Sequence, residues 1–460
     1  MPECRGTRDC VTPYNRDEQT TDEETGMART FKPAVKPIEP VVIPKGNIRY
    51  APGVRAGRWI FATGHKGVAD YARGMSSAVL AAASPNHAGP KLRREAEQIF
   101  KNVARIVKAG GGDMRNIVRV DQNYTSGRAV ESYHDARRAI LGNFIPPSTS
   151  TLTGGFLLPG QEIEVNMLGI VPQGKFTPRH IRPADHAVHA TSGYSLALAA
   201  GDFVFVAGRM ADSFAFGEGI AAEARLPQGH LWKGLPIKLE AEFIIKRKIE
   251  PALKAAGSSL KNLVKCQVYM RDPADFAPFN EVWDKFFPRS KPATTLIPTA
   301  DPGFFLNDAR IEINAIALAD KGATKRKLID AKVAPAYRGH TQAIKAGDLL
   351  LLSGLLPADD NGLAASARID PAMPYFGSSV QAQMDLMLGN AEKICRAAGT
   401  SLANVVRIHQ YHTDLADFYP AYQVWQRHLP DQFLPFSAVK VPFLPVPGCS
   451  VQLDLWVYAP

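Results

Sequence analysis

The chain has 460 residues, 45% of them hydrophobic and 21% charged, with a formal net charge of +10. That length suits about three domains at roughly 150 residues each, and the composition is that of a globular protein rather than a disordered or fibrous one. No apolar run approaches the roughly 18 residues of a membrane span, and the basic excess lacks the Lys/Arg run with interleaved aromatics of a dedicated nucleic-acid reader.

Five scattered cysteines (Cys4, Cys10, Cys266, Cys395 and Cys449) suggest neither a disulfide framework nor a zinc site. No basic-then-apolar leader opens the sequence, so a cytoplasmic protein is the expectation. Residues 1–40 are polar, with an acidic patch from Asp17 to Glu24 and then proline-rich sequence, and are expected to be disordered. Met27 opens an alternative start.

From there to the C-terminus one pattern is written three times. Each copy begins with an extended lead (50–57, 194–201, 340–347) and an Ala-Gly turn. Next comes a strand (58–64, 202–208, 348–354) ending on Gly64, Gly208 or Gly354. These strands are nearly continuous in apolar residues, which implies cover on both faces, and a terminal glycine marks a close backbone approach. A variable loop leads to an amphipathic helix closed by Gly111, Gly257 or Gly399, and then to a strand: NIVRVDQNY, NLVKCQVYM or NVVRIHQYH. A second helix (129–144, 276–287, 418–429), a proline-led extended segment (146–152, 291–297, 434–441) and a closing strand (162–171, 310–319, 451–460) complete the copy. The joints at 171–183 and 319–335 carry charge, proline and glycine and read as linkers. The repeat bounds are 41–175, 176–322 and 323–460.

The helix-closing glycines are spaced by the length of a small domain, not by the about 20–50 residues of a solenoid unit. One copy reads β…α-β-α-β. Two helices cannot cover both faces of its sheet, so the bare face is expected to meet the same face of the other copies. The result is an α+β chain of three domains closed around a pseudo-threefold axis, sheets inside as a barrel and helices outside.

In IEVN (163–166) and IEIN (311–314) the acid and the amide share one strand face and the apolar residues the other. Glu164 and Glu312 are thereby placed at the contact between copies. Lost solvation there raises a carboxyl's pKa and suits it to exchanging protons with water. The same side chains would serve equally as hydrogen-bond ties between copies. His409 lines up with Asp121 and Gln267 as an inward polar position, and His412 falls on the opposite strand face, so the two histidines do not share a metal ion. No GxGxxG, P-loop or GxSxG appears, and neither metal nor cofactor is expected.

The Ala-Gly, strand, Gly entry, the KAAGSSLKNLVK and RAAGTSLANVVR hinges, the NEVWDKFF helix and the closing IEINAIA strand occur in that order and repeat. Together they resemble the RidA/YjgF family, also called endoribonuclease L-PSP or reactive-intermediate imine deaminases, over residues 45–460 in three copies. The resemblance implies a chorismate-mutase-like fold and a trimer made within one chain. It also implies a small-molecule site in each cleft between copies and cofactor-independent hydrolysis of imines and enamines.

Carried over residue by residue, the water-activating glutamate is Glu164, Glu312 and, as an aspartate, Asp454. The lead tyrosine is Tyr50, Tyr194 and, replaced, His340. The strand-end pair is Thr63 with Gly64, Ala207 with Gly208 and Ser353 with Gly354; His65 comes next in the first copy. The family's carboxylate-binding arginine is replaced by Thr149, Thr294 and Ser437. A hydroxyl cannot reproduce arginine's two-pronged contact with a carboxylate. The substrate is therefore expected to lack that group, or a cation arrives from elsewhere, Arg209 first and Lys291 and Arg310 after it.

The expected activity is hydrolytic deamination of an imine, enamine or related C–N bond in a small molecule. Glu164, Glu312 and Asp454 are the catalytic candidates, and His409 is among the substrate contacts. A non-catalytic small-molecule binding or regulatory protein is the alternative. The chain is expected to act as a monomer or a higher assembly of it, with neither membrane nor nucleic acid as partner.

Overall fold

In the computed structural model of the chain, the described residues are 34–80, 90–183, 192–213, 218–229, 234–337 and 339–460. The N-terminal extension up to residue 33, with Met27, lies outside them. Gly111, Gly257 and Gly399 take φ values of +84°, +78° and +78°. Only glycine adopts that region without strain, and there the three long helices end, at Lys91–Ala109, Glu250–Ala255 and Ser379–Ala397. In the first of these, Ala96, Ile99, Phe100, Val103, Ile106 and Val107 form one buried stripe at helical spacing.

Each copy builds one sheet. In the first the strands run in the order Val35–Ile38, Gly53–Ala56, Trp59–His65, Ile163–Ile170, Ile117–Tyr124, Ser148–Leu152. All neighbours are antiparallel except the last pair, which is parallel and is joined through the helix Arg128–Leu141. The second sheet repeats the order with Arg179–Ile181, Ala197–Ala200, Phe203–Arg209, Ile311–Ala319, Ser258–Met270 and Ala293–Pro298. The third runs Arg326–Ile329, Ala343–Ala346, Leu349–Leu352, Val451–Tyr458, Val405–His412, Phe436–Lys440. It gains a seventh strand, Gly155–Phe156, from the first copy. The three sheets are open ladders, and no closed sheet joins them among the described residues.

The segments expected to be disordered or linking are corrected here. Val35–Ile38, Arg179–Ile181 and Arg326–Ile329 each pair with the lead strand of the next copy in the chain. Each is a short edge strand, and its charges and Pro37 belong on a sheet edge, where they blunt pairing with other chains.

The second copy's long helix is interrupted. Pro236–Phe243 passes into a π-helical stretch, Ile244–Ile249, before Glu250–Ala255 resumes. Pro251 lacks the N–H that an α-helix would need, and widened turns are a usual response. The stretch buries Lys248, nine residues before the closing glycine, where the other copies have Asn102 and Asn390. Lys248 is paired with Asp212 at 3.2 Å.

Three apolar clusters each lie mainly between one sheet and its helices. A fourth draws on all three copies, with Trp59, Phe61 and Leu168 from the first, Phe203, Phe205 and Leu318 from the second, and Leu349, Leu351 and Trp456 from the third. No helix among the described residues is long and apolar enough to cross a membrane.

Candidate functional site

Every pair of copies shares a seam. The first copy meets the third through Ala51 N–H to Leu434 O (3.0 Å) and Gly154 N–H to Lys440 O (2.8 Å). The second meets the first through Ser195 N–H to Ile145 O (3.1 Å) and Ala300 N–H to Leu152 O (3.0 Å). The third meets the second through Gly354 N–H to Thr294 O (3.0 Å). At each seam the strand-end glycine and the closing strand of one copy face the proline-led strand of another.

The register decides which side chain stands where. Glu164 lies opposite Asn123, Glu312 opposite Tyr269 and Gln452 opposite Tyr411. One pleat further, Asn166 lies opposite Asp121, Asn314 opposite Gln267 and Asp454 opposite His409. The third copy's match for the glutamates is therefore Gln452, and Asp454 matches the asparagines. In the same way Thr149 pairs with Asp121, Thr295 with Gln267 and Ser437 with His409. Thr294 instead turns into the helix layer, where it receives the Trp283 indole N–H at 3.3 Å.

In the seam of the second copy with the first, Glu312 is buried. A Cβ on Gly208 would collide with its Oε1, so only glycine leaves room for the carboxyl, and Thr149 of the first copy lies against the same point. Burial pushes the Glu312 carboxyl up to about 8, against the pull of Arg209. Arg209, also buried, donates from Nη1 to the Tyr194 hydroxyl at 3.3 Å. Asn314 donates to the Thr149 hydroxyl at 2.9 Å.

In the seam of the first copy with the third, Ser437 donates to Glu164 Oε1. Burial raises the Glu164 carboxyl, while Lys66 and the Ser437 hydrogen bond oppose it. Gly64, at φ +69°, packs its α-carbon against Phe436 O and donates its N–H to Asn166 at 2.7 Å. The Tyr50 hydroxyl donates to Thr63 O at 2.5 Å, and its ring packs 5.0 Å from that of Phe436. Both ring nitrogens of His65 are bonded within its own copy. One ring nitrogen bonds Pro52 O at 2.8 Å and the other the Tyr71 hydroxyl at 2.6 Å, and burial lowers its pKa to about 3.

The seam of the third copy with the second is filled. Gln452 donates to Leu296 O at 2.8 Å and accepts from the Tyr337 hydroxyl at 2.9 Å. Tyr337 touches Gly354 as Tyr50 touches Gly64, so it takes the place expected of His340. His340 instead meets Asn280 at 3.0 Å. Leu355 and Leu356 stand where the other copies have His65 with Lys66 and Arg209 with Met210. Ser353 is spent on Thr294 N–H and Thr341 O. Lys291 is paired with Asp284, and Arg310 with Asp272 and Asp275.

Where the three copies converge, a buried polar network lies beside the shared apolar cluster, with Arg119 and Arg407 over the Trp456 ring. Arg119 and Arg407 both bind Asp121, at 2.8 and 2.7 Å. Lys265 binds Asp454 at 2.7 Å, and Gln267 donates to the same carboxylate at 2.5 Å. Lys265 and Arg407 hold the Asp454 carboxyl well below the usual carboxylate range against its burial. His409 is enclosed here beside Arg407 at 2.9 Å, and burial drives its pKa down. Asp454 and His409 thus belong to the convergence network. The signal was present in the sequence: Arg119, Lys265 and Arg407 recur at one strand position in IVRV, LVKC and VVRI. Lys66, Tyr337 and Gln452 were missed because each departs from its counterparts, and Thr295 because Thr294 beside it offers the same hydroxyl. No group of three or more His, Cys, Asp or Glu able to hold a metal occurs among the described residues.

A RutC family protein of Pyrococcus abyssi is 36% identical over 124 residues, covering 27% of this chain and 84% of its own. The chloroplastic Reactive Intermediate Deaminase A of Arabidopsis thaliana is 30% identical over 133 residues, covering 29% of this chain and 65% of its own. Among solved structures, RidA from the Antarctic bacterium Psychrobacter sp. PAMC 21119 is 31% identical, covers 29% of this chain and 98% of its own, and gives a TM-score of 0.24. The Endoribonuclease L-PSP family profile matches twice in tandem, at residues 184–319 and 331–459. With more than half its length matched, this chain belongs to the endoribonuclease L-PSP family, the RidA/YjgF family that its motifs resemble, in tandem copies.

Proposed function

We propose that the chain is a single-polypeptide pseudo-trimer that hydrolyses a C=N bond of a small imine or enamine, releasing ammonia, at the two seams that keep a glutamate. The observation that carries this is Glu312, a buried carboxyl near neutrality that lies on the bare α-carbon of Gly208 with Arg209 beside it. A neutral carboxyl of this kind protonates the imine nitrogen. As carboxylate it takes a proton from the attacking water, then returns it to the departing amine. The balance is imine plus water to carbonyl plus ammonia. Thr149 and Ser437 offer hydroxyls where a carboxylate-binding arginine would stand, so the substrate carries no carboxylate beside the imine carbon. The contacts at all three seams and the shared apolar cluster support the pseudo-trimeric reading.

Imines made by an amine oxidase, and carboxylate-bearing ones made by an amino-acid oxidase, would be mixed with the protein. Their loss would then be measured against the spontaneous rate. The carboxylate-free imines should be consumed faster. Glu312→Gln and Glu164→Gln should each lower the rate, and the double variant should lose about 10²–10⁴-fold. Unchanged turnover in the double variant would remove the mechanism. The seam of the third copy with the second takes no part, because Gln452 cannot exchange protons and is spent on Leu296 and Tyr337.

A further inference from the structure

Four lysines of the described residues are buried: Lys66, Lys248, Lys265 and Lys291. Three have a carboxylate oxygen close by, Asp212 at 3.2 Å, Asp454 at 2.7 Å and Asp284 at 2.7 Å. Lys66 has none within 4.0 Å among the described residues, and its Nζ makes no hydrogen bond to them. Its Nζ lies 5.7 Å from the centroid of the Tyr50 ring.

The backbone at Lys66 is clamped. Its carbonyl accepts from Asn102 Nδ2 at 3.1 Å and from Val68 N–H at 2.8 Å. The residue is 8% exposed, so most of its side chain is enclosed. An isolated ammonium is costly to bury, and burial accordingly lowers the Lys66 pKa, with Glu164 as the opposing charge. An amine enclosed in a seam with no carboxylate partner, where burial shifts both it and Glu164 toward their neutral forms, has the setting of a nucleophilic lysine.

We propose that Lys66 forms a Schiff base with a small aldehyde, ketone or imine in the seam between the first and third copies, with Glu164 moving the protons. This site deepens the hydrolytic reading and rests on the same seam. The neutral Nζ adds to the carbonyl carbon, and the oxygen takes the Glu164 proton. The new ammonium returns a proton to the carboxylate, which then passes it to the hydroxyl. The C–O bond breaks, water leaves, and a protonated imine remains beside ionised Glu164. With an imine substrate the C–N bond to the original nitrogen breaks instead. Ammonia departs, and water then frees Lys66 and the carbonyl product.

The test is reductive trapping on the full chain. Limiting propanal with sodium cyanoborohydride at pH 7 should add one propyl group per chain, and peptide mapping should place it on Lys66. Labelling there should run at least tenfold faster than at the median lysine, and Glu164→Gln should slow it. Lys66→Met, which installs the residue of the second copy, should fold and lose the fast adduct. Lys66 labelled no faster than the surface lysines, in protein with an intact thermal transition, overturns the inference. Trapping and imine turnover are separate readouts. Fast labelling without turnover sustains the Schiff base and sinks the hydrolytic reading, and turnover without labelling does the reverse.

Discussion

Glu312 ties stability to pH through one proton. Its folded-state pKa is about 8 against an ordinary 4.5, raised first by burial. Between those values the folded chain holds a proton that the unfolded chain has released. The stability tied to this group is therefore whole below about 4.5 and is lost as pH rises through 8. Glu312→Gln removes the dependence. Denaturant melts at pH 5, 6.5 and 8 should show the variant gaining on the parent as pH rises, by on the order of a few kcal/mol at the top. A difference that stays constant across that range would contradict the assignment. Gly208→Ala tests the same contact from the other side. Its methyl would meet both Glu312 and Thr149, and should cost about 1–3 kcal/mol, read as a lower denaturation midpoint. A close approach at Gly208 was legible in the sequence, because a strand ending on glycine signals one. That the approaching group is Glu312 was not legible, because it arrives from a strand about a hundred residues away.

Elements came through where periodicity was long and repeated. The three glycine-closed helices and the closing strands are dictated by apolar spacing that the chain states three times. The short edge strands were not, since four residues with charge and proline match a linker as well as a strand. Val35–Ile38 makes the difference measurable. It pairs with Gly53–Ala56, Ala34 N–H reaches Asn404 at 2.8 Å, and Glu39 binds Arg105 at 2.7 Å. A chain starting at Ala34 should keep this sheet edge. One starting at Val41 should be on the order of 1–3 kcal/mol less stable and should self-associate through the bared Gly53–Ala56 strand. Equal melting midpoints and equal masses by light scattering would show that the strand contributes nothing. Register was the hardest thing to foresee. Thr295, not Thr294, pairs with Gln267 in the parallel ladder, so Thr294 turns toward the helices and Thr295 reaches Asp454.

Across the whole molecule, the three copies meet on charge as well as on apolar packing. Arg119, Lys265 and Arg407 converge on two carboxylates, Asp121 and Asp454. Removing one member strands a buried partner. Asp121→Asn should therefore cost about 3–5 kcal/mol, since two arginines depend on that carboxylate. Replacing Lys265 and Asp454 together with Met and Leu should cost far less than Asp454→Leu alone, and a double-mutant cycle by thermal melting reads the difference. Additive losses would mean that the ion pair is incidental.

The two-residue strand Gly155–Phe156, made early in synthesis, lies along Phe436–Lys440, made near the end. A nascent chain thus carries an unfilled pairing edge through most of its time on the ribosome, and a truncated product keeps it for good. Expression of fragments ending after the first or second copy should consequently favour swapped or aggregated species over soluble single modules.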